Sequence, residues 1–130
     1  MKLSSSFTIL LAEDEPVNRK VEMLMLKKLG YEAEIAANGL EALQALEHHL
    51  FDLVFMDVMM PVMDGIEATR IIRERWPQGP KIIVVTAALE AYREDCIEAG
   101  ADDIIAKPVK MEELNAAIER NVGVPAVVMV

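Results

Sequence analysis

The sequence has one cysteine, no excess of basic residues and no apolar run long enough to cross a bilayer. With Cys96 alone no internal disulfide can form, so a reducing, cytoplasmic location is expected. Cys96 lies in a helical pattern, where a packed thiol is favoured over a reactive one. The 22 acidic against 13 basic residues give a net charge of −9. This charge repels phosphate backbones, so direct nucleic-acid binding is not expected, and neither is membrane insertion.

Short apolar runs alternate five times with longer segments of helical period, which is typical of βαβ units around a parallel sheet. Runs at 8–12, 53–56 and 82–85 are continuously apolar and are predicted to be central strands covered on both faces. Runs at 32–36 and 102–106 are more polar and are predicted at the sheet edges. The 130 residues fit one domain with a real core, and no internal repeat or long linker interrupts them.

Proline, glycine and capping residues predict where the helices lie. The first helix is expected to start near Pro16 and to stop at Gly30. The others are expected at about 40–46, 64–76, 89–99 and 111–122, the third with Asp64 as its N-cap. The first helix places four side chains along one face: Val17, Val21, Leu24 and Lys28.

Charged and hydroxyl side chains follow four of the predicted strands. Glu13 and Asp14 come after the first strand, Asp57 after the third, Thr86 after the fourth and Lys107 after the fifth. Each one alone has an ordinary explanation, as a loop acid, a helix cap, a β-branched strand residue or a solvated lysine. In an open parallel sheet, however, ligands bind outside the carboxyl ends of the strands.

The joint arrangement therefore favours a divalent metal, because three carboxylates gathered at one edge repel one another unless a cation neutralises them. Magnesium is typically held by one or two carboxylates together with phosphate oxygens, a role that suits Asp14 and Asp57. Lys107 and Thr86 could then hold the remaining oxygens of a phosphoryl group. Asp57 becomes a candidate nucleophile.

Four segments, in combination and in this order, resemble the receiver domain of two-component response regulators. They are Glu13-Asp14, MDVMMPVMDG at 56–65, VVTA at 84–87 and AGADDIIAKP at 99–108. The resemblance covers residues 7–122, with 1–6 as an N-terminal tail. It implies a flavodoxin-like doubly wound (βα)5 sandwich whose five-stranded parallel sheet has the order 2-1-3-4-5. The apolar run at 124–130, within the segment 123–130, is read as a C-terminal tail or linker, or as a segment that packs on the domain or on a second copy.

The resemblance implies a phosphoacceptor switch. Asp57 would accept a phosphoryl group from a histidine kinase or histidine phosphotransfer domain, with Mg²⁺ as cofactor and Mn²⁺ able to replace it. The implied metal ligands are Asp14, Asp57 and the carbonyl of Met59, with Glu13 acting through a bound water. The domain would catalyse its own magnesium-dependent phosphorylation and dephosphorylation and have no other enzymatic activity.

On the other side of the phosphoryl group, the resemblance implies that Thr86 and Lys107 each bind one oxygen. It also implies a cis peptide between Lys107 and Pro108. The docking face for the phosphohistidine domain would lie on the first helix near Pro16, Val17 and Arg19. A homodimer would use the face made by the fourth helix, fifth strand and fifth helix. A free-standing regulator and the receiver portion of a hybrid sensor kinase both fit this reading.

The chain departs from the commoner family pattern at four positions. Glu13 replaces a frequent aspartate, a longer side chain that preserves the charge. Ile104 stands where an aromatic residue is frequent, so a rotating ring cannot report the switch state. Met59 and Ala88 are apolar where polar groups can orient an attacking water, which predicts slow spontaneous dephosphorylation.

Two other classes of protein with this fold or nucleophile fit the sequence less well. A haloacid-dehalogenase-like phosphatase needs a second acid two residues after its nucleophile, where this chain has Met59. A flavodoxin-like flavin-binding module needs a Ser-, Thr- and Gly-rich loop after the first strand, and Glu13-Asp14-Glu15 has the opposite electrostatic character. No Walker loop is present.

Overall fold

The computed structural model describes residues 7–123, which form five strands and five helices in strict alternation. The strands are β1 (Ile9–Ala12), β2 (Ala33–Ala36), β3 (Leu53–Asp57), β4 (Lys81–Thr86) and β5 (Asp103–Ala106). The helices are α1 (Pro16–Lys28), α2 (Gly39–His48), α3 (Gly65–Arg75), α4 (Leu89–Ala99) and α5 (Met111–Val122). The predicted alternation is confirmed.

All strand pairs are parallel, and the order across the sheet is β2-β1-β3-β4-β5. This confirms the predicted doubly wound flavodoxin-like sandwich, with β1, β3 and β4 in the centre and β2 and β5 at the edges. Every residue of β1 and β3 is buried, as expected for strands covered by helices on both faces. The edge strand β2, in contrast, leaves Glu34 and Ile35 exposed.

Alternate residues of the strands point to opposite faces of the sheet and pack into two separate hydrophobic cores. One core lies beneath α2, α3 and α4 and contains Val54, Met56 and Ile82 together with the buried thiol of Cys96. The other core lies beneath α1 and α5, and Phe55 is its largest fully buried side chain. Burial raises the pKa of Cys96, which agrees with a packed rather than a reactive thiol.

Side-chain caps fix where three helices begin. Glu15, Asn38 and Asp64 each accept a backbone N–H from the residue three positions on, at 2.8 to 2.9 Å. Such caps satisfy donors that the first helical turn leaves unpaired. Gly100, with φ 108°, ends α4 in the left-handed region.

The apolar face predicted on α1 points to solvent. Val17, Val21 and Leu24 are 66%, 44% and 52% exposed, whereas the buried residues of this helix are Glu22 and Leu26. The reason is that α1 packs its other side on the sheet, where Leu26 joins the core of Leu11 and Phe55. Within residues 7–123, no helix has both the length and the apolar character required to cross a bilayer.

Candidate functional site

Asp57 lies at the edge of the sheet at the end of β3, a strand whose residues are all buried. It is the last residue of β3 and only 5% exposed. Immediately beyond it, the N–H of Gly65 donates to the carbonyl of Val58 at 2.9 Å, which closes the loop between β3 and α3. Gly65 is required there, because a Cβ atom at this position would lie 2.0 Å from the Asp57 carbonyl oxygen.

The two acids after β1 lie beside Asp57. Glu13 is 1% exposed, and its backbone N–H donates to the carbonyl of Ala36 at 3.0 Å, so the loop leaves the sheet at a fixed point. Asp14 is half-buried. Carboxylate oxygens of Glu13, Asp14 and Asp57 lie within 4.8 Å of one another. The predicted gathering of three acids at one edge is therefore present.

Lys107 reaches this cluster from β5. Its ammonium Nζ lies 3.0 Å from Glu13 Oε1 and 3.1 Å from Asp57 Oδ1. Its backbone N–H donates to the carbonyl of Thr86 at 2.9 Å, and the peptide to Pro108 is cis, as predicted. The backbone of the loop after β5 is thus tied to β4, which directs the lysine toward the acids.

The electrostatics of the site follow from burial and these neighbours. Burial, the charge of Glu13 and, to a smaller extent, that of Asp14 raise the pKa of Asp57 to about 6, although Lys107 opposes the rise. Burial alone would lower the pKa of Lys107, but its hydrogen bonds and ionic attraction to Glu13 and Asp57 hold it above the ordinary value. The lysine therefore stays charged while Asp57 resists ionisation.

The donor set fits a hard divalent cation. Three carboxylates face one ammonium group, so the cluster keeps an excess of negative charge. Glu13 Oε1 is buried and, apart from its ionic contact with Lys107, has no hydrogen-bond partner among residues 7–123. Buried anionic oxygens that lack partners are costly unless a cation compensates them. Oxygen ligands of this kind are those that Mg²⁺ prefers.

Thr86 and Met59 flank the cluster. Val85 pairs with Asp57 in the sheet, so Thr86 ends β4 at the same edge. Its buried Oγ1 accepts the N–H of Ala88 at 3.0 Å, which leaves the hydroxyl proton free for another acceptor. The side chain of Met59 is exposed, and its sulfur accepts a hydrogen bond from the hydroxyl of Tyr92 at 3.5 Å. Thr86 thus has the means to donate, and α4 touches the loop after β3.

The sequence pattern did not predict a further acid near the site, Glu22 on α1. Glu22 is 7% exposed, and burial, followed by the charge of Glu13, raises its pKa to about 7. Glu22 stands four residues before the buried Leu26 and so shares the face of α1 that packs on the sheet, but local periodicity alone does not show which face that is.

Comparison with known proteins agrees with this geometry. The model of the response regulator receiver domain matches residues 9–119. Hybrid signal transduction histidine kinase K of Dictyostelium discoideum is 38% identical over 120 residues, covering 85% of this chain and 10% of that protein. Hybrid signal transduction histidine kinase H of the same organism is 42% identical over 120 residues, covering 86% of this chain and 9% of that protein. The chain spans about a tenth of the length of these curated relatives.

A solved structure shares both the fold and the sequence. It is the receiver domain of a sensor histidine kinase from Pseudomonas aeruginosa, crystallised with a magnesium ion coordinated in its active-site cleft. The TM-score is 0.84 and the identity 41%, and the match covers 92% of this chain and all of that one. With its family model, sheet order and acidic pocket in agreement, this chain belongs to the response regulator receiver domain family.

Proposed function

We propose that the domain accepts a phosphoryl group on Asp57 and acts as a magnesium-dependent signalling switch. The observation that carries this proposal is the contact of the Lys107 ammonium with both Asp57 and Glu13, beside a three-carboxylate cluster. Nucleophile, charge-neutralising group and cation ligands thus meet in one pocket. Phosphoryl transfer depends mainly on such positioning and charge stabilisation.

The transfer step needs little more than these groups. An oxygen of the Asp57 carboxylate forms a bond to phosphorus while the bond from phosphorus to the donor breaks, and the donor leaves as imidazole or, for acetyl phosphate, as acetate. Lys107 then exchanges its contact with Asp57 for a phosphoryl oxygen. Thr86 donates its hydroxyl proton to a second oxygen.

Magnesium would be held by Asp14, Asp57 and the Met59 carbonyl, with Glu13 acting through water, and Mn²⁺ would replace it. When bound, the ion supplies neutralisation of the charge on the phosphoryl oxygens. The magnesium-bound Pseudomonas receiver domain supports this assignment, as does a response regulator from Thermotoga maritima solved with Mg²⁺ and a beryllium fluoride. Dephosphorylation would be slow, because Met59 and Ala88 offer no polar group to orient water.

The phosphodonor would be a histidine kinase or histidine phosphotransfer domain, since the relatives are hybrid histidine kinases. The exposed apolar side chains of Val17, Val21 and Leu24 on α1 supply the docking face. We further propose a homodimer through α4, β5 and α5, a cytoplasmic location and a receiver unit at residues 7–122. The domain would be either a free regulator or a segment of a hybrid kinase. The reading of 124–130 as a linker or packing segment lies outside the described residues.

Intact-mass spectrometry after incubation with acetyl phosphate tests the proposal. The wild-type chain should gain the mass of one phosphoryl group with Mg²⁺ and none with a chelator. Asp57→Asn should gain nothing, whereas Asp95→Asn, an exposed aspartate on α4, should behave as wild type. A gain that persists in Asp57→Asn would contradict the assignment of the acceptor.

A further inference from the structure

Glu22 and Lys107 face the same cavity next to the phosphoacceptor. The cavity has a volume of about 270 Å³ and lies between α1 and the loop after β5, with Asn18 and Pro108 also in its wall. On its inner side Glu22 adjoins the apolar side chains of Leu26 and Leu114. Glu22 therefore lies between the hydrophobic core and the cavity that Lys107 lines.

Core packing does not account for this acid. Within residues 7–123 the carboxyl group of Glu22 makes no hydrogen bond and no ion pair, and its oxygens keep contact with the cavity although the residue is mostly buried. An apolar side chain beside Leu26 would avoid the cost of desolvating such an acid. The groups that influence it by charge are Glu13 after β1, Asp57 on β3 and Lys107 after β5, all members of the functional site.

We propose that Glu22 is a positioning residue for phosphoryl transfer, whose negative charge attracts Lys107 toward α1 and opposes the phosphorylated state. The inference rests on the proposed function. Before transfer, the three carboxylates are balanced by Lys107 and a divalent cation. Transfer replaces the single charge of Asp57 by the two charges of an acyl phosphate, so one negative charge is added near Glu22. Like charges across a cavity of this size repel one another appreciably.

The charge of Glu22 should act with opposite signs on the two ligands of the site. It attracts the divalent cation and repels the phosphoryl group. Replacement by glutamine removes the charge and keeps the shape, so Glu22→Gln should bind Mg²⁺ more weakly and bind a phosphoryl mimic more tightly. A change in packing alone would shift both affinities in the same direction.

Isothermal titration of the whole chain with Mg²⁺, and then with beryllium fluoride at saturating Mg²⁺, measures the two affinities. At pH 8 the Glu22→Gln chain should bind beryllium fluoride about three- to tenfold more tightly than wild type, and Mg²⁺ about twofold or more weakly. Glu74→Gln removes the same charge from an exposed position on α3 and serves as the control, with both affinities unchanged.

The same titrations at pH 6 separate charge from shape. With a pKa of about 7 in the metal-free domain, Glu22 carries less charge at pH 6 than at pH 8, so the difference between wild type and Glu22→Gln should shrink there. Equal affinities at pH 8, or a difference as large at pH 6 as at pH 8, would overturn the role of Glu22. If wild type binds no beryllium fluoride and gains no phosphoryl mass, the proposed function falls with it.

Discussion

Asp57→Asn should stabilise the metal-free domain, because the folded site makes ionisation of this carboxyl unfavourable. The pKa rises from 3.8 to about 6 on folding, mainly by burial and then by the charge of Glu13. At about 1.4 kcal/mol per pKa unit, the ionised form costs the folded state about 3 kcal/mol. The attraction of Lys107 is already included in that pKa, and asparagine resembles the neutral acid in shape.

The sign and the pH window follow from the direction of the shift. A raised pKa favours the protonated folded form, so the cost is absent below pH 3.8, reaches about half its value near pH 5 and is complete above pH 6. The advantage of Asp57→Asn over wild type should therefore grow across this window and stay constant up to pH 8.

Urea unfolding at 25 °C, followed by far-ultraviolet circular dichroism in the presence of a chelator, measures the effect. At pH 8, Asp57→Asn should exceed wild type by about 3 kcal/mol, and Asp95→Asn should match wild type. Added Mg²⁺ should stabilise wild type more than Asp57→Asn and narrow the gap. An Asp57→Asn chain that is no more stable than wild type at pH 8 without metal would refute this account of the site.

Three other changes probe neighbouring parts of the site. Lys107→Ala should lose about 3 kcal/mol of stability at pH 8 without metal, because the buried acids lose their counter-charge. A thermal unfolding midpoint equal to that of wild type in the presence of a chelator would contradict this prediction. Gly65→Ala should lose about 2 kcal/mol or more, since its Cβ meets the Asp57 carbonyl, and a urea midpoint equal to wild type would argue against that contact. A Met59→Asp, Ala88→Asn chain should release phosphate about tenfold faster than wild type, and a wild-type phosphoryl lifetime of only seconds would contradict the prediction of slow turnover.

The sheet could be predicted from sequence because its central strands are continuous apolar runs that end in charged or hydroxyl residues. The end of each run marks the functional edge, so Asp57 and Thr86 were found from the same pattern as the strands. The ends of the elements were predicted less closely. Asp102 was expected in the last strand, but β5 begins one residue later, and the Asp102 carboxylate accepts the N–H of Ile82 and pairs with Arg73.

The burial of α1 could not be predicted, since two faces of this helix carry comparable apolar content. Val17 and Leu24 suggested one face, yet the fold places Leu26 and Glu22 inward. Which face packs is decided by where β1 and β3 lie, and local periodicity does not contain that information. For the same reason the sequence does not predict that Glu22 lies near the site.

Locating the phosphoryl group tests the central claim most directly. Borohydride converts an aspartyl phosphate to homoserine, so reduction after incubation with acetyl phosphate, followed by peptide mass spectrometry, marks the acceptor. The account predicts homoserine at position 57 when Mg²⁺ is present and none when it is chelated. Homoserine at another aspartate, or none at all under conditions where the chain is folded and magnesium is bound, would contradict it.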